Sequence, residues 1–167
     1  HHIAQCCLKL GEGDQALEIL KKTNICGVHN ALIALTLTGG GHPLKEAESY
    51  LTDAMGDLTS LSVRLMTAYV YYYQRKGDDS SALDALQWLC HLLDSLKTGP
   101  DAVSYVDKIL ACCCAECAHL SRKLGRPEEA LRHLDAAEAA PEDFPDRTTL
   151  AEMCALVRFR LRDRDYL

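Results

Sequence analysis

The densest store of reactive side chains in this chain is Cys112, Cys113, Cys114 and Cys117. On a helix, Cys113 and Cys117 share a face, as do Cys114 and Cys117. Two thiolates so placed could supply half of a zinc or iron–sulfur site, with His119 or a distant cysteine completing it. Structural zinc sites take C-x2-C pairs from two knuckles, and no second pair is present. The same spacing suits buried packing positions, where cysteine acts as a small apolar residue. These cysteines are therefore assigned to the core and no metal is expected. Arg122 and Lys123 follow closely and could lower a thiol pKa, so redox sensitivity is the remaining chemistry for this cluster.

Other candidate chemistry is thinner. Cys90 and His91 are neighbours on a helix, so their side chains diverge by about 100° and cannot act as nucleophile and base. The seven histidines show no H-x-x-x-H or HExxH spacing. Gly39-Gly40-Gly41 lacks the Lys-Ser/Thr of a phosphate loop and follows a helix rather than a strand. Asp78-Asp79 and Glu128-Glu129 stand where helices begin, which suits carboxylates at the positive end of a helix dipole. No catalytic constellation can be assembled, and no enzyme activity or cofactor is expected.

These residues must be held by helices. No segment alternates with period two for long enough to make a strand, so the chain is expected to be all-α. Nine helices are expected. The first runs from near His2 to Leu10, and the second from Gly13 to about Lys22. Asn24 caps a third, which runs through Thr38. A fourth covers 43–55, and a fifth starts at Asp57 or Thr59 and ends before Gly77. A sixth opens at Asp79 or Ser80. The seventh runs from Pro100 to Lys123, and the eighth from Pro127 to Ala140. In the ninth, Thr149 and Glu152 have capping-box spacing, with Asp146 as a competing cap.

The 167 residues are 48% apolar and only 6% aromatic, so the core must be built from Leu, Ala, Val, Ile and Cys. Net charge is −6, which argues against sequence-independent nucleic-acid binding. There is no run of about 18 apolar residues to span a membrane. The nine cysteines form an odd, clustered set lying mostly inside helical patterns. That pattern suits a reducing, intracellular compartment rather than a disulfide framework.

A four-fold echo organises the chain. A turn glycine is followed by alanine about five residues on, then by leucine four later. The sets are Gly11, Ala16, Leu20; Gly41, Ala47, Leu51; Gly77, Ala82, Leu86; and Gly125, Ala130, Leu134. A recurring turn-plus-helix unit is the mark of a stacked helical array.

With Ala118 before Gly125, then Ala137 and a closing Pro141, the last set resembles the tetratricopeptide repeat, a helix pair of about 34 residues. The resemblance covers most of residues 1–167. It implies one repeat domain of about four antiparallel helix pairs plus a final helix, wound into a right-handed superhelical solenoid. The chain is expected to be a piece of a longer array, or to have its last helix covered by something else. Three features depart from the family. The only Trp, Trp88, lies in a second helix; His42 stands at a usual glycine position; and the anchor alanines are 31, 35 and 48 residues apart.

The resemblance places Arg64, Tyr71, Gln74 and Arg75 on the concave face of one unit. It places His119, Arg122 and Lys123 on the next, with Arg160 on the last. That strip is basic although the chain is acidic, so an acidic protein or peptide segment is the expected partner. The implied function is a non-catalytic interaction module or scaffold segment within a larger assembly. Tyr71→Ala with Arg75→Ala is expected to weaken partner binding and leave thermal stability nearly unchanged. The carboxylate clamp of co-chaperone members is not reproduced, because its positions hold His1, Gln5, Ile33, Arg64 and Ala68. Two alternatives stand beside this reading. One is a structural subunit that uses convex or end surfaces. The other rests on His29, Asn30, Ile33, Ala47 and Met55, which resemble one unit of the RNA-reading pentatricopeptide family.

Overall fold

The computed structural model describes residues 4, 7, 10–23, 27–40, 42–56, 63–96, 100–138 and 147–162. Among them every regular element is an α-helix. We label these α1 (Gly13–Lys22), α2 (Gly27–Gly39), α3 (Leu44–Gly56), α4 (Val63–Lys76), α5 (Asp79–Ser95), α6 (Pro100–Lys123), α7 (Pro127–Glu138) and α8 (Arg147–Arg162). Ala4 and Cys7, within the expected first helix, are also helical and buried. None of these helices is long and apolar enough to cross a membrane.

The chain divides into two compact units, His1–Ala85 and Leu86–Leu167, with the boundary inside α5. In the first unit α2 packs against α1, α3 and α4. In the second, α6 packs against both α7 and α8, which also meet each other. The helix that opens a pair thus touches its own partner and the helix after that. Small residues permit this: Ala111, Ala115 and Ala118 of α6 are buried at spacings of four and three. They lie in one apolar cluster with Leu134 and Ala137 of α7 and with Leu150, Cys154 and Val157 of α8.

The four anchor alanines, Ala16, Ala47, Ala82 and Ala130, have no solvent exposure. Three of the turns leading to them share one hydrogen-bond plan. Glu12, Asp78 and Arg126 donate their N–H groups to the carbonyls of Cys7, Tyr73 and Ser121, five residues earlier, at 2.9, 3.0 and 2.9 Å. Their own carbonyls accept from Ala16, Ala82 and Ala130 at 3.1, 3.0 and 3.0 Å. One residue therefore closes one helix and opens the next. The bond spanning five residues needs a left-handed residue just before its donor. Gly11, Gly77 and Gly125 occupy that place with φ of +79°, +76° and +73°.

The second turn corrects the expectation for His42. Its N–H donates to the Leu37 carbonyl at 3.2 Å, so it stands where Glu12, Asp78 and Arg126 stand, one place after the glycine. The extra residue is Pro43, which has no N–H to leave orphaned at a helix start. Gly41 lies outside the described residues.

Because a Cβ at Gly125 would meet nothing within 4 Å, only its backbone angle resists substitution. Gly125→Ala is expected to destabilise by about 1 kcal/mol. Gly13→Ala, at a helical position with equal open space, is expected to stabilise by about 0.5 kcal/mol. Paired urea titrations check both. Equal effects would mean that the left-handed angle carries no cost.

The 48-residue spacing between the last two anchors is largely helical. α5 has 17 residues and α6 has 24, against 13 and 14 for α3 and α4. Asp78 caps α5: its carboxylate accepts the Ser81 N–H at 3.1 Å and the Ser81 hydroxyl at 2.7 Å. Those two bonds hold the Asp78 carboxyl below its ordinary pKa. α8 already begins at Arg147, so Thr149 lies in its first turn rather than at its cap. Asn24, Asp57, Thr59, Ala140, Pro141 and Asp146 lie outside the described residues.

Candidate functional site

In the first unit the candidate residues stand on α4. Leu65, Ala68 and Tyr72 are buried at spacings of three and four, which fixes the inward face of the helix. Arg64, Tyr71 and Arg75 project from the other side, at spacings of seven and four, and Tyr71 is 45% exposed. Tyr71, Gln74 and Arg75 line one open hollow of about 500 Å³ with Thr38 and Gly39 of α2.

The other tyrosines of α4 serve packing. Tyr69 and Tyr73 stack with ring centres 5.9 Å apart, and Tyr72 meets Tyr73 edge-on at 5.3 Å. The Tyr69 hydroxyl donates to the Leu51 carbonyl at 3.3 Å. Burial, reinforced by neighbouring tyrosines, raises the Tyr69 pKa. The Tyr72 pKa is raised by burial and then by Glu48.

Arg75 has a second role that sequence spacing does not reveal. Its Nη1 donates to the carbonyls of Leu37 at 3.3 Å and Thr38 at 3.1 Å, and its Nη2 to that of His42 at 2.9 Å. The first two stand at the C-terminal end of α2, where backbone acceptors lack helical partners and the dipole is negative, and the third in the turn that follows. The guanidinium is a clasp between α4 and α2. The expectation that Arg75 can be removed without affecting stability is therefore corrected. Its partners lie 33 to 38 residues away, beyond the reach of helical periodicity.

In the second unit His119, Arg122 and Lys123 share the last turns of α6, at spacings of three and four. His119 is half-buried, and burial lowers its pKa first. Glu116 opposes that shift, while the charges of Arg122, Lys123 and Arg160 add to it. Arg160 is exposed on α8, so cations from two helices act on one imidazole.

Two further features of the second unit carry no obvious sequence signal. Gln87 of α5 donates to Glu129 of α7 at 2.7 Å and lies 3.4 Å from the His133 ring nitrogen. With Cys90, His91 and Arg132 they line an open hollow of about 350 Å³. At its edge Cys90 packs against the apolar cluster that holds Cys114 of α6. Among the described residues no group of three or more His, Cys, Asp or Glu is placed to hold a metal ion. The described cysteines are all thiols; Cys6 and Cys26 lie outside the described residues.

Between α7 and α8 lies a mainly apolar hollow of about 280 Å³, lined by Ala137, Leu150, Ala151, Cys154, Ala155 and the Glu138–Arg158 pair. Arg158 donates to both Glu138 oxygens, at 3.0 and 2.8 Å, and to Asp135 at 3.0 Å. Leu156 and Phe159 of α8 are exposed. Comparison with models of protein families, with curated proteins and with solved structures finds no match to this chain.

Proposed function

We propose that this chain is a non-catalytic protein-interaction module of the tetratricopeptide type, a stack of antiparallel helix pairs that binds an acidic protein segment. Two features support the stacked arrangement. The turns at Glu12, Asp78 and Arg126 repeat one bonding plan, and in each unit an opening helix packs on the two helices that follow. The observation that carries the binding role is the cationic group of Arg122, Lys123 and Arg160 around His119. Exposed arginine can grip a carboxylate through two parallel bonds, and a local positive field steers an acidic segment despite the net charge of −6. A reducing intracellular setting suits the described thiols.

Fluorescence anisotropy with a labelled Asp/Glu-rich peptide tests the reading. Lys123→Glu with Arg160→Glu, both at exposed positions, is expected to weaken binding at least about tenfold, which is 1.4 kcal/mol. Binding should also strengthen as pH falls below the ordinary histidine value of about 6.5. His119 titrates below that value, so it is neutral at pH 7 and gains charge only on acidification. Unchanged affinity in the charge-reversed variant would sink the assignment.

A structural role is the second reading. The hollow between α7 and α8, flanked by exposed Ala151, Ala155, Leu156 and Phe159, favours it. On that reading, affinity for a partner subunit survives the charge reversal and is lost in Phe159→Asp.

A further inference from the structure

The hollow between α7 and α8 has an apolar floor and two unlike walls. Leu150 and Cys154 are buried beneath it. On the α8 side, Ala151, Ala155 and Phe159 follow one another at spacings of four, which puts them in one line along the helix, and all three are exposed. On the α7 side, Asp135 and Glu138 share the single guanidinium of Arg158. Glu138 is the last residue of α7, where orphaned carbonyls add negative charge. One cation thus answers two carboxylates and a negative helix end, and Asp135 keeps 73% of its side chain in solvent. Further along α8 the exposed Glu152 and Arg162 offset each other, so the excess at the hollow is acidic.

The molecule shows elsewhere what such a face accepts. α8 meets α6 and α7 as α4 meets α2 and α3, so it stands as the opening helix of a pair. The opening helices α2 and α6 carry the closing helices α3 and α7. Each closing helix buries the same small–large–small stripe at spacings of four and three: Ala47, Leu51 and Ala54 in α3, and Ala130, Leu134 and Ala137 in α7. Ala111 and Ala115 of α6 are buried at the spacing that Ala151 and Ala155 show, exposed, on α8. Small residues on both sides let two helix axes come within about 8–10 Å.

We propose that this hollow seats an amphipathic helix from another protein chain, one that turns a small–large–small stripe toward Ala151 and Ala155 and carries Lys or Arg beside it. The large residue of the stripe enters the hollow above Leu150 and Cys154, and Phe159 packs along its edge. The basic flank meets Asp135 and Glu138, whose charge Arg158 alone does not balance. An acidic flank is repelled there, so charge selects among helices that share the stripe. The proposal deepens the structural reading above and rests on it, and it leaves the cationic group of α6 and α8 free for its own ligand.

Fluorescence anisotropy of the full chain with three labelled, helix-stapled peptides is the test. The first peptide carries Ala-x3-Leu-x2-Ala with lysine flanks. The second has glutamate in place of lysine, and the third keeps lysine but moves the leucine to the opposite face. The first should bind at least about tenfold more tightly than either of the others. Ala155→Leu fills the hollow from an exposed position, and it should weaken that binding at least about tenfold while circular dichroism stays unchanged. An excess of the Asp/Glu-rich peptide should not displace the first peptide. Equal affinity for lysine- and glutamate-flanked peptides, or undiminished affinity in Ala155→Leu, would overturn the proposal. The structural reading would survive either result if Phe159→Asp still abolished attachment to a partner subunit. Self-association lost in Phe159→Asp, with no peptide bound, would assign the hollow to a second copy of this chain and would equally overturn the proposal.

Discussion

Replacing Ala130 with arginine is expected to cost more than about 4 kcal/mol, enough to unfold the second unit or nearly so. Ala130, Leu134 and Ala137 form the buried stripe of α7, and Ala130 has no solvent exposure. The helix packs against α6 and α8, so a guanidinium there cannot reach water without parting the helices. A buried charge without a partner carries a penalty far larger than the helix propensity that arginine brings. Ala136→Arg is the matched control, since Ala136 is exposed on the same helix. It should change stability by less than about 0.5 kcal/mol. Urea titration followed by circular dichroism separates the two. Similar losses in both variants would mean that Ala130 is not a packing position.

Removing the Arg75 guanidinium should cost about 1–2 kcal/mol, with Tm lower by roughly 3–6 °C. The Arg75→Ala variant loses a charged donor from two carbonyls at the end of α2 and one in the turn that follows. The Leu37 carbonyl keeps the His42 N–H, and part of the loss at the others is recovered by water because the site is partly open. Arg75→Lys should recover only part of the stability, since an ammonium lacks the planar fork that reaches several acceptors at once. Tyr71→Ala, at an exposed neighbour lining the same hollow, should leave Tm within about 1 °C. The two substitutions therefore have to be measured singly. A double variant would confuse loss of a binding surface with loosening of α2.

Much of the fold is legible in the sequence because it is local. The second helix, from Gly13 to Lys22, and the long one, from Pro100 to Lys123, occupy the expected residues. Each depends only on propensity, turn residues and apolar spacing within its own length. The burial of Ala16, Ala47, Ala82 and Ala130 follows from the same periodicity. What escapes such reading is long-range. Arg75 looks like a surface cation until the end of α2 is placed beneath it. Cys90 looks isolated until the apolar cluster with Cys114, Leu134 and Leu150 is assembled beside it. The division between Ala85 and Leu86 falls inside a helix, where no glycine, proline or polar run could announce it. The charge strip was visible in part. Arg122 and Lys123 lie one turn from His119, but the influence of Arg160 on that ring depends on how α8 packs against α6.

The shared turn plan has a consequence for how such a chain can change over generations. The residue that joins two helices makes both of the shared bonds with its main chain, and the three instances carry Glu12, Asp78 and Arg126. Acid and base serve alike as far as those two bonds are concerned, while the side chain is left for other work, as in the cap that Asp78 adds. A reversal of charge at Glu12 would therefore repaint the outside of its bend without touching the main-chain bonds that set the bend's angle.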